Sequence, residues 1–516
     1  MDHAVKNNAD RKIFYIIIGF SLFDLLLHFY TNAFASYGFF RDELYYLACA
    51  KHLDIGYVDQ PPLSIYILAL SKAVFGESLF ALRLIPAIVS ALTIYFIGKI
   101  VLEFNGGSTA VIAALVSVVL CPVFLGMNTF YSMNTFVWFF WSLAFYFIIR
   151  LIKTDDKKYW LPLGLVAGLA LLNKIDFLWF GAGLALGMIF TPERKYFRMK
   201  EPYIAAATAL IIFSPFIVWN FTHNFAHIEF IRNATSLKYS STTRLDFVIT
   251  LLKDNGPSTF PVMLAGIYFL FFHTEGKKFR LGGYIFLITF LILIINEHSK
   301  AEYLSPLSTL LFPAGGIIVE KLSLIKNLRW LKYAVPAFLF IGGVFLIPLA
   351  LPIMPVQKFI QYEKLLGIKS ASSEAHKLND LPQFYADMFG WKNMASSVSK
   401  VYTTLSPKEQ KHTVVFARNY GEAGAIDFYR KYFPLPPVIC PHNSYWYWND
   451  CDTTKNILII IGGSKTDNQK YLNFVREAGV IQSKYSIPYE NNLTIFIGWG
   501  LKVPIKVIWN RIRFFI

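Results

Sequence analysis

Asp42 and Glu43 follow the first long apolar stretch directly, in a segment that reads FFRDELYYLACAKHLDIGYVDQPPLSIYI from residue 39 to 67. Acids at the edge of a bilayer are costly to keep there, which makes them suspects for function. The residues alone are equally compatible with a plainer reading, loop carboxylates in water beside Arg41. Their company favours chemistry. Leu44, Leu47 and Ala48 fall on one helical face, and PPLSIYILALSKAVFG is a second amphipathic stretch whose start is set by Pro61 and Pro62. Two helices lying along a membrane surface, with acids at the beginning of each, make a site that a lipid-borne substrate can reach sideways.

The elements that must hold such a site are mostly apolar. Of 516 residues 55% are hydrophobic and only 16% charged, against about 25% in soluble proteins. This composition describes a membrane protein with length to spare for one extra-membrane domain. The net charge of +16 sits in short Lys/Arg clusters between apolar runs, with no basic stripe and no nucleic-acid motif, so it reads as topology and no nucleic-acid partner is expected. Eleven stretches are long enough, or nearly so, to cross: about 13 to 32, 80 to 101, 109 to 127, 134 to 152, 159 to 172, 177 to 190, 203 to 220, 258 to 272, 281 to 295, 304 to 319 and 333 to 353. RLIKTDDKK, ERKYFRMKE, HTEGKKFR and EKLSLIKNLRWLK alternate with loops such as MNTFYSM and NKID that carry at most one Lys. That bias puts the N-terminus in the cytoplasm and the opening segment outside. The first apolar stretch is read as a span and not as a cleaved signal.

A composition shift near Pro355 marks a second domain. Residues 1–354 are expected to form the membrane domain, with surface helices in its first external loop at about 33–79, and 355–516 an external α/β domain. In the latter TVVFA, PPVIC, NILIIIGG and NLTIFIGWG read as strands, and GEAGAIDFYRKYF and DNQKYLNFVREAG as amphipathic helices. The closing LKVPIKVIWNRIRFFI reads as a helix lying on lipid headgroups. An external location would permit a Cys440–Cys451 disulfide. His223, His227 and Glu229 come within helical reach of one another, but the spacing is imperfect for a metal set, and no metal site is expected.

Several features taken together carry a resemblance. An Asp-Glu pair after the first span, juxtamembrane helices, a Pro-Pro step, and an external loop HSKAEYLSPL are similar to bacterial members of the protein-O-mannosyltransferase superfamily, including the lipid A aminoarabinose transferases. ARNYGEAGAIDFYRKY and PHNSYWYW resemble tail phrases of the same superfamily. The resemblance covers roughly residues 10 to 355 and implies a polytopic α-helical GT-C fold. It also implies an inverting transfer of sugar from a polyprenyl phosphate to a lipid or glycan acceptor at the outer face of the bacterial inner membrane, with no cofactor required. Asp42 would act as general base on the acceptor or orient it, since a carboxylate suits a hydroxyl nucleophile. Glu43 and Tyr46 would shape the site. Lys300, Tyr303 and Arg83 would face the anionic leaving group. Lys174 and Asp176 in the external NKID loop either line the donor cavity or simply pair with each other in a tight turn. Two positions depart from the pattern. Many aminoarabinose transferases read EKPP where this chain has Asp59-Gln60-Pro61-Pro62, so the Lys that contacts donor phosphate there is Gln60 here. Asn134 stands where an Asp is common, and an amide can bond a sugar hydroxyl but cannot act as a base. A transporter or flippase of a lipid-linked sugar would share the spans and the polar cavity. Protein is an alternative acceptor.

Overall fold

In the computed structural model the described residues are 2–35, 37–239, 241–368, 378, 380–448 and 454–516, with side chains from residue 10 onward. Cys451 is outside them, and with it the Cys440–Cys451 pairing; Cys440 itself is buried.

The chain divides into two compact units. The first comprises 1–35, 76–218 and 241–354 and is built from apolar helices. A helix stands over each of the eleven apolar stretches. By length and composition six among the described residues can cross a membrane: Asp10–Phe34, Leu79–Glu103, Met133–Thr154, Glu201–Thr222, Gly276–Ile295 and Ala301–Leu324. This is a multi-pass membrane protein. Others stop short for local reasons. The helix Ser108–Val119 ends before Pro122, whose ring cannot continue it, and the chain restarts as the single turn Pro122–Met127.

Small residues bring these helices close. Phe260–Phe271 packs on Ser308–Leu324 so tightly that a Cβ on Gly266 would stand 2.2 Å from the Leu311 carbonyl oxygen, and one on Gly315 2.0 Å from that of Val262. Lipid offers no hydrophobic drive between helices, so such close backbone contact supplies the dispersion energy of association.

The second unit comprises 36–75, 219–240 and 355–516. It contains a five-stranded mixed sheet of order β2-β1-β3-β5-β4, from β1 (Thr413–Phe416), β2 (Val438–Ile439), β3 (Ile457–Ile461), β4 (Leu472–Ile481) and β5 (Leu493–Leu501). β1 runs parallel to β2 and β3, with the helix Tyr420–Tyr429 making the crossover from β1 to β2, and β5 is antiparallel to β3 and β4. Val414, Leu458, Ile460, Leu472, Val475 and Phe496 close a core on one face.

Two expectations for this unit fail. Residues 467–479 form mostly strand β4, not a helix. The buried Leu472 and Val475 are three apart, which mimics helical spacing, but both pair in regular antiparallel register with β5, opposite Leu501 and Gly498. The tail is helical only over Ile505–Trp509. Beyond it the backbone is engaged by the unit itself, Asn443 N–H donating to the Phe514 carbonyl (3.0 Å), and Trp509 and Phe515 are buried.

Candidate active site

The functional side chains fall into two clusters, one in each unit. In the second unit the helix Arg41–Cys49 begins after an extended Phe40, and Glu43 reaches back to accept the Phe40 N–H (2.8 Å). Glu43 is thus fully buried as a cap on its own helix. Asp42, one residue earlier, stays reachable, its side chain 28% exposed. Its Oδ1 accepts from Arg41 Nε (3.4 Å) and from the hydroxyl of Tyr420 (3.0 Å). The Arg41 guanidinium also meets the Asp387 carboxylate at 3.9 Å and the hydroxyl of Tyr489. Tyr46 is buried with its ring centroid 6.0 Å from that of Tyr45.

Asp59 is held by the same helix, accepting the Tyr45 hydroxyl at 2.7 Å. Burial pushes its carboxyl up to about 6, only partly opposed by the Tyr45 hydrogen bond, and the charge of Asp42 adds to the rise. Next to it Gln60 is fully buried; its backbone carbonyl accepts from Tyr57 N–H (3.0 Å), and among the described residues no group pairs with its amide oxygen or nitrogen.

The raised Asp59 carries a stability consequence. Its folded value lies above the ordinary 3.8, so the folded chain binds the proton more tightly than the unfolded chain. Ionising it therefore opposes folding, increasingly from about pH 4 to pH 6 and fully above that. Asp59→Asn is expected to raise thermal stability at pH 7.5 by roughly 1–3 kcal/mol, with the gain gone below about pH 4. Thermal melts followed by size-exclusion chromatography across pH check this. A gain that does not change with pH counts against it.

In the membrane unit, a pocket is lined by Met127, Asn134, Val137, Trp138, Lys174, Asp176, Glu302, Tyr303 and Pro306. Lys174 sits in the short link between the helices Trp160–Asn173 and Phe177–Ile189. Its ammonium donates to Asn134 Oδ1 (2.8 Å), stands 3.5 Å from Asp176 and lies 4.7 Å over the Tyr303 ring. Burial raises the Asp176 carboxyl, and Lys174 opposes that rise. Three residues singled out from sequence, Asn134, Lys174 and Tyr303, thus share one pocket. Lys300 is outside its lining and faces Glu302 (3.8 Å). Arg83 is buried elsewhere in the unit, its backbone carbonyl accepting from Asn32 (3.3 Å).

Sequence reasoning missed Tyr420, Trp138, Glu302 and Asp254, the last buried and pushed up to about 7 by burial and then by the Glu302 charge. His223, His227 and Glu229 do not converge: the first stacks on Trp219 (4.2 Å), the second approaches the Val58 carbonyl (2.9 Å) and the third pairs with Arg513 (2.8 Å). Among the described residues no three His, Cys, Asp or Glu groups are placed to hold a metal.

Residues 59–219 match the family described as dolichyl-phosphate-mannose-protein mannosyltransferase. A lipid A galacturonosyltransferase, RgtD of Rhizobium johnstonii, is 25% identical over 272 residues, 50% of this chain and 54% of that protein. The chain therefore spans about half the length of the curated relative it matches. Among solved structures, ArnT from Cupriavidus metallidurans superposes with a TM-score of 0.59 bound to undecaprenyl phosphate (11% identity) and 0.60 in the apo state (10% identity), each over 93% of this chain and 97% of that one. The chain thus has the GT-C fold seen in ArnT, and its sequence is similar over part of its length to the mannosyltransferase family and to a lipid A galacturonosyltransferase.

Proposed function

We propose that this protein transfers a sugar from a polyprenyl phosphate to an envelope lipid, with lipid A the leading acceptor, at the outer face of the bacterial inner membrane. The carrying observation is Asp42: an acid at a helix start, fixed by two donors and still open to solvent. The acceptor oxygen attacks the anomeric carbon as the carbon–oxygen bond to phosphate breaks. The polyprenyl phosphate leaves with that electron pair, the configuration inverts, and the acceptor proton passes to Asp42. Within the membrane unit taken by itself, Lys174, positioned by Asn134 and Tyr303, is a cation suited to a phosphate group. Kinship with a lipid A galacturonosyltransferase supports the acceptor and suggests a uronic acid as the sugar; the undecaprenyl phosphate in the ArnT crystal structure supports the donor class. Protein is the second acceptor reading, favoured by the family description over residues 59–219.

Lipid mass spectrometry of envelopes from cells with and without the protein tests the proposal. One lipid species lacking a sugar mass in the deficient cells is expected. Unchanged lipids together with a lipid-linked sugar missing from the outer face would instead make the protein a transporter. Lys174→Met is expected to raise the donor KM about 10- to 100-fold, the worth of one charge-assisted hydrogen bond. Initial rates against donor concentration check it, and an unchanged KM would remove Lys174 from the phosphate site.

A further inference from the structure

Asp42 does not present its two oxygens alike. Both of its donors, Arg41 Nε and the Tyr420 hydroxyl, converge on Oδ1, and among the described residues nothing engages Oδ2. A base works best when one oxygen is anchored and the other is aimed at the proton it takes. The anchor on Oδ1 comes from far along the chain: Tyr420 is 378 residues away in sequence.

Tyr420 is itself held from every side. Its ring lies 4.9 Å from the Tyr45 ring and 4.8 Å from that of His442, with the Arg41 guanidinium 5.5 Å from its centroid. It opens the helix Tyr420–Tyr429, whose start Asn419 caps by accepting from the N–H groups of Gly421 (2.9 Å) and Glu422 (3.0 Å). Asn419 in turn donates to Glu490 (2.7 Å), and the Glu422 carboxylate takes the Arg418 backbone N–H (2.7 Å). Gly421 and Gly424 let this helix lie against Arg41–Cys49: a Cβ on either would come within 2.9 Å of Arg41 or Leu44. A second tyrosine repeats the arrangement, since Tyr45, its ring tilted against that of Tyr420, donates its hydroxyl to Asp59. Each of the two acids thus has its own tyrosine.

We propose that Tyr420 is a positioning residue for the transfer reaction, fixing Asp42 Oδ1 so that Oδ2 is the oxygen that takes the acceptor proton. This rests on the reading of Asp42 as the base. The charged and titratable groups around the pair are Arg41, Asp387 and Tyr489 on one side, Tyr45, Asp59 and Lys238 on another, and His442 behind the Tyr420 ring. None of them donates a hydrogen bond to Asp42 except Arg41, so removing the Tyr420 hydroxyl leaves one donor where there were two.

Two readouts test this in the full-length chain. The first needs no substrate: carbodiimide labels a carboxyl in its protonated form, and peptide mapping reports each acid separately. A donor to the carboxylate favours its charged form. At pH 6, Tyr420→Phe is expected to label Asp42 about three- to tenfold faster than wild type, while Tyr45→Phe, which deletes the same atom one ring away and relaxes only Asp59, labels Asp42 no faster. Loosened packing would expose several acids together, so 3-fluorotyrosine incorporated at position 420 supplies the opposite sign. Its more acidic hydroxyl donates more strongly in the same shape, and Asp42 should label more slowly. The second readout is transfer from undecaprenyl phosphate galacturonate to lipid A in nanodiscs, where Tyr420→Phe should lower kcat about tenfold with the donor KM unchanged. Equal labelling of Asp42 in all four proteins, or faster labelling of all acids alike in the Phe variant without slowing by fluorotyrosine, overturns the proposal even if Asp42→Asn abolishes transfer. The expected labelling pattern with full transfer by Asp42→Asn overturns the parent reading, and the catalytic role of Tyr420 with it.

Discussion

Asp42→Asn, expressed at the level of wild type, is expected to cut sugar transfer by about 10²- to 10⁴-fold, the usual span for loss of a positioned general base. The substitution keeps shape. Asn retains a carbonyl oxygen that can accept from Tyr420 and Arg41 where Oδ1 does now, and the side chain is partly exposed, so no charge is left stranded in a core. What disappears is the capacity to take a proton. Initial rates with purified chain in nanodiscs measure the effect, and chromatographic behaviour should remain that of wild type. Activity within threefold of wild type would show that the acceptor loses its proton to some other group, with Asp59 the nearest in chemistry.

The largest expected effect on stability lies in the membrane unit. Gly266→Val is expected to destabilise the membrane unit by about 3 kcal/mol or more, enough to remove most monodisperse protein from detergent extracts. The contact involved is backbone, the Leu311 carbonyl 2.2 Å from where the new Cβ would stand, and Gly315 makes the reciprocal approach to Val262. A flexible side chain could swing aside; two helix backbones must separate along their length. Gly19→Ala is the control, since a Cβ there meets nothing within 4 Å. Fluorescence-detected size exclusion after heating compares the two, and equal midpoints would mean that the helix pair tolerates separation.

The membrane helices were legible because long apolar runs with basic ends leave little choice in a bilayer. Their ends were less so where Pro122 splits one run into two helices. The α/β character of the tail was also legible, from β-branched runs such as Ile457–Ile461, but β4 was not, since its buried Leu472 and Val475 are spaced three apart as on a helix. The acids of the first loop drew attention by their depth. Their anchors did not, because nothing local in the sequence ties Tyr420 to Asp42. The one available signal was the pair Gly421 and Gly424, three residues apart in a short helix, a spacing that permits a neighbouring backbone to come close. Lys174, Asn134 and Tyr303 were each singled out separately, and their meeting in one pocket was not legible, as their separation in sequence carries no geometric information.

The second unit is assembled from three separate lengths of chain, and this orders events during synthesis. The helix that carries Asp42 leaves the ribosome early, but the tyrosine that anchors it follows 378 residues later, about 20 to 75 seconds at ordinary elongation rates. Throughout that interval the nascent chain has Asp42 but not Tyr420, and nearly all of its membrane helices are made first. A ribosome that stalls, or a message cut short before Tyr420, therefore leaves a chain whose Asp42 lacks this hydrogen bond.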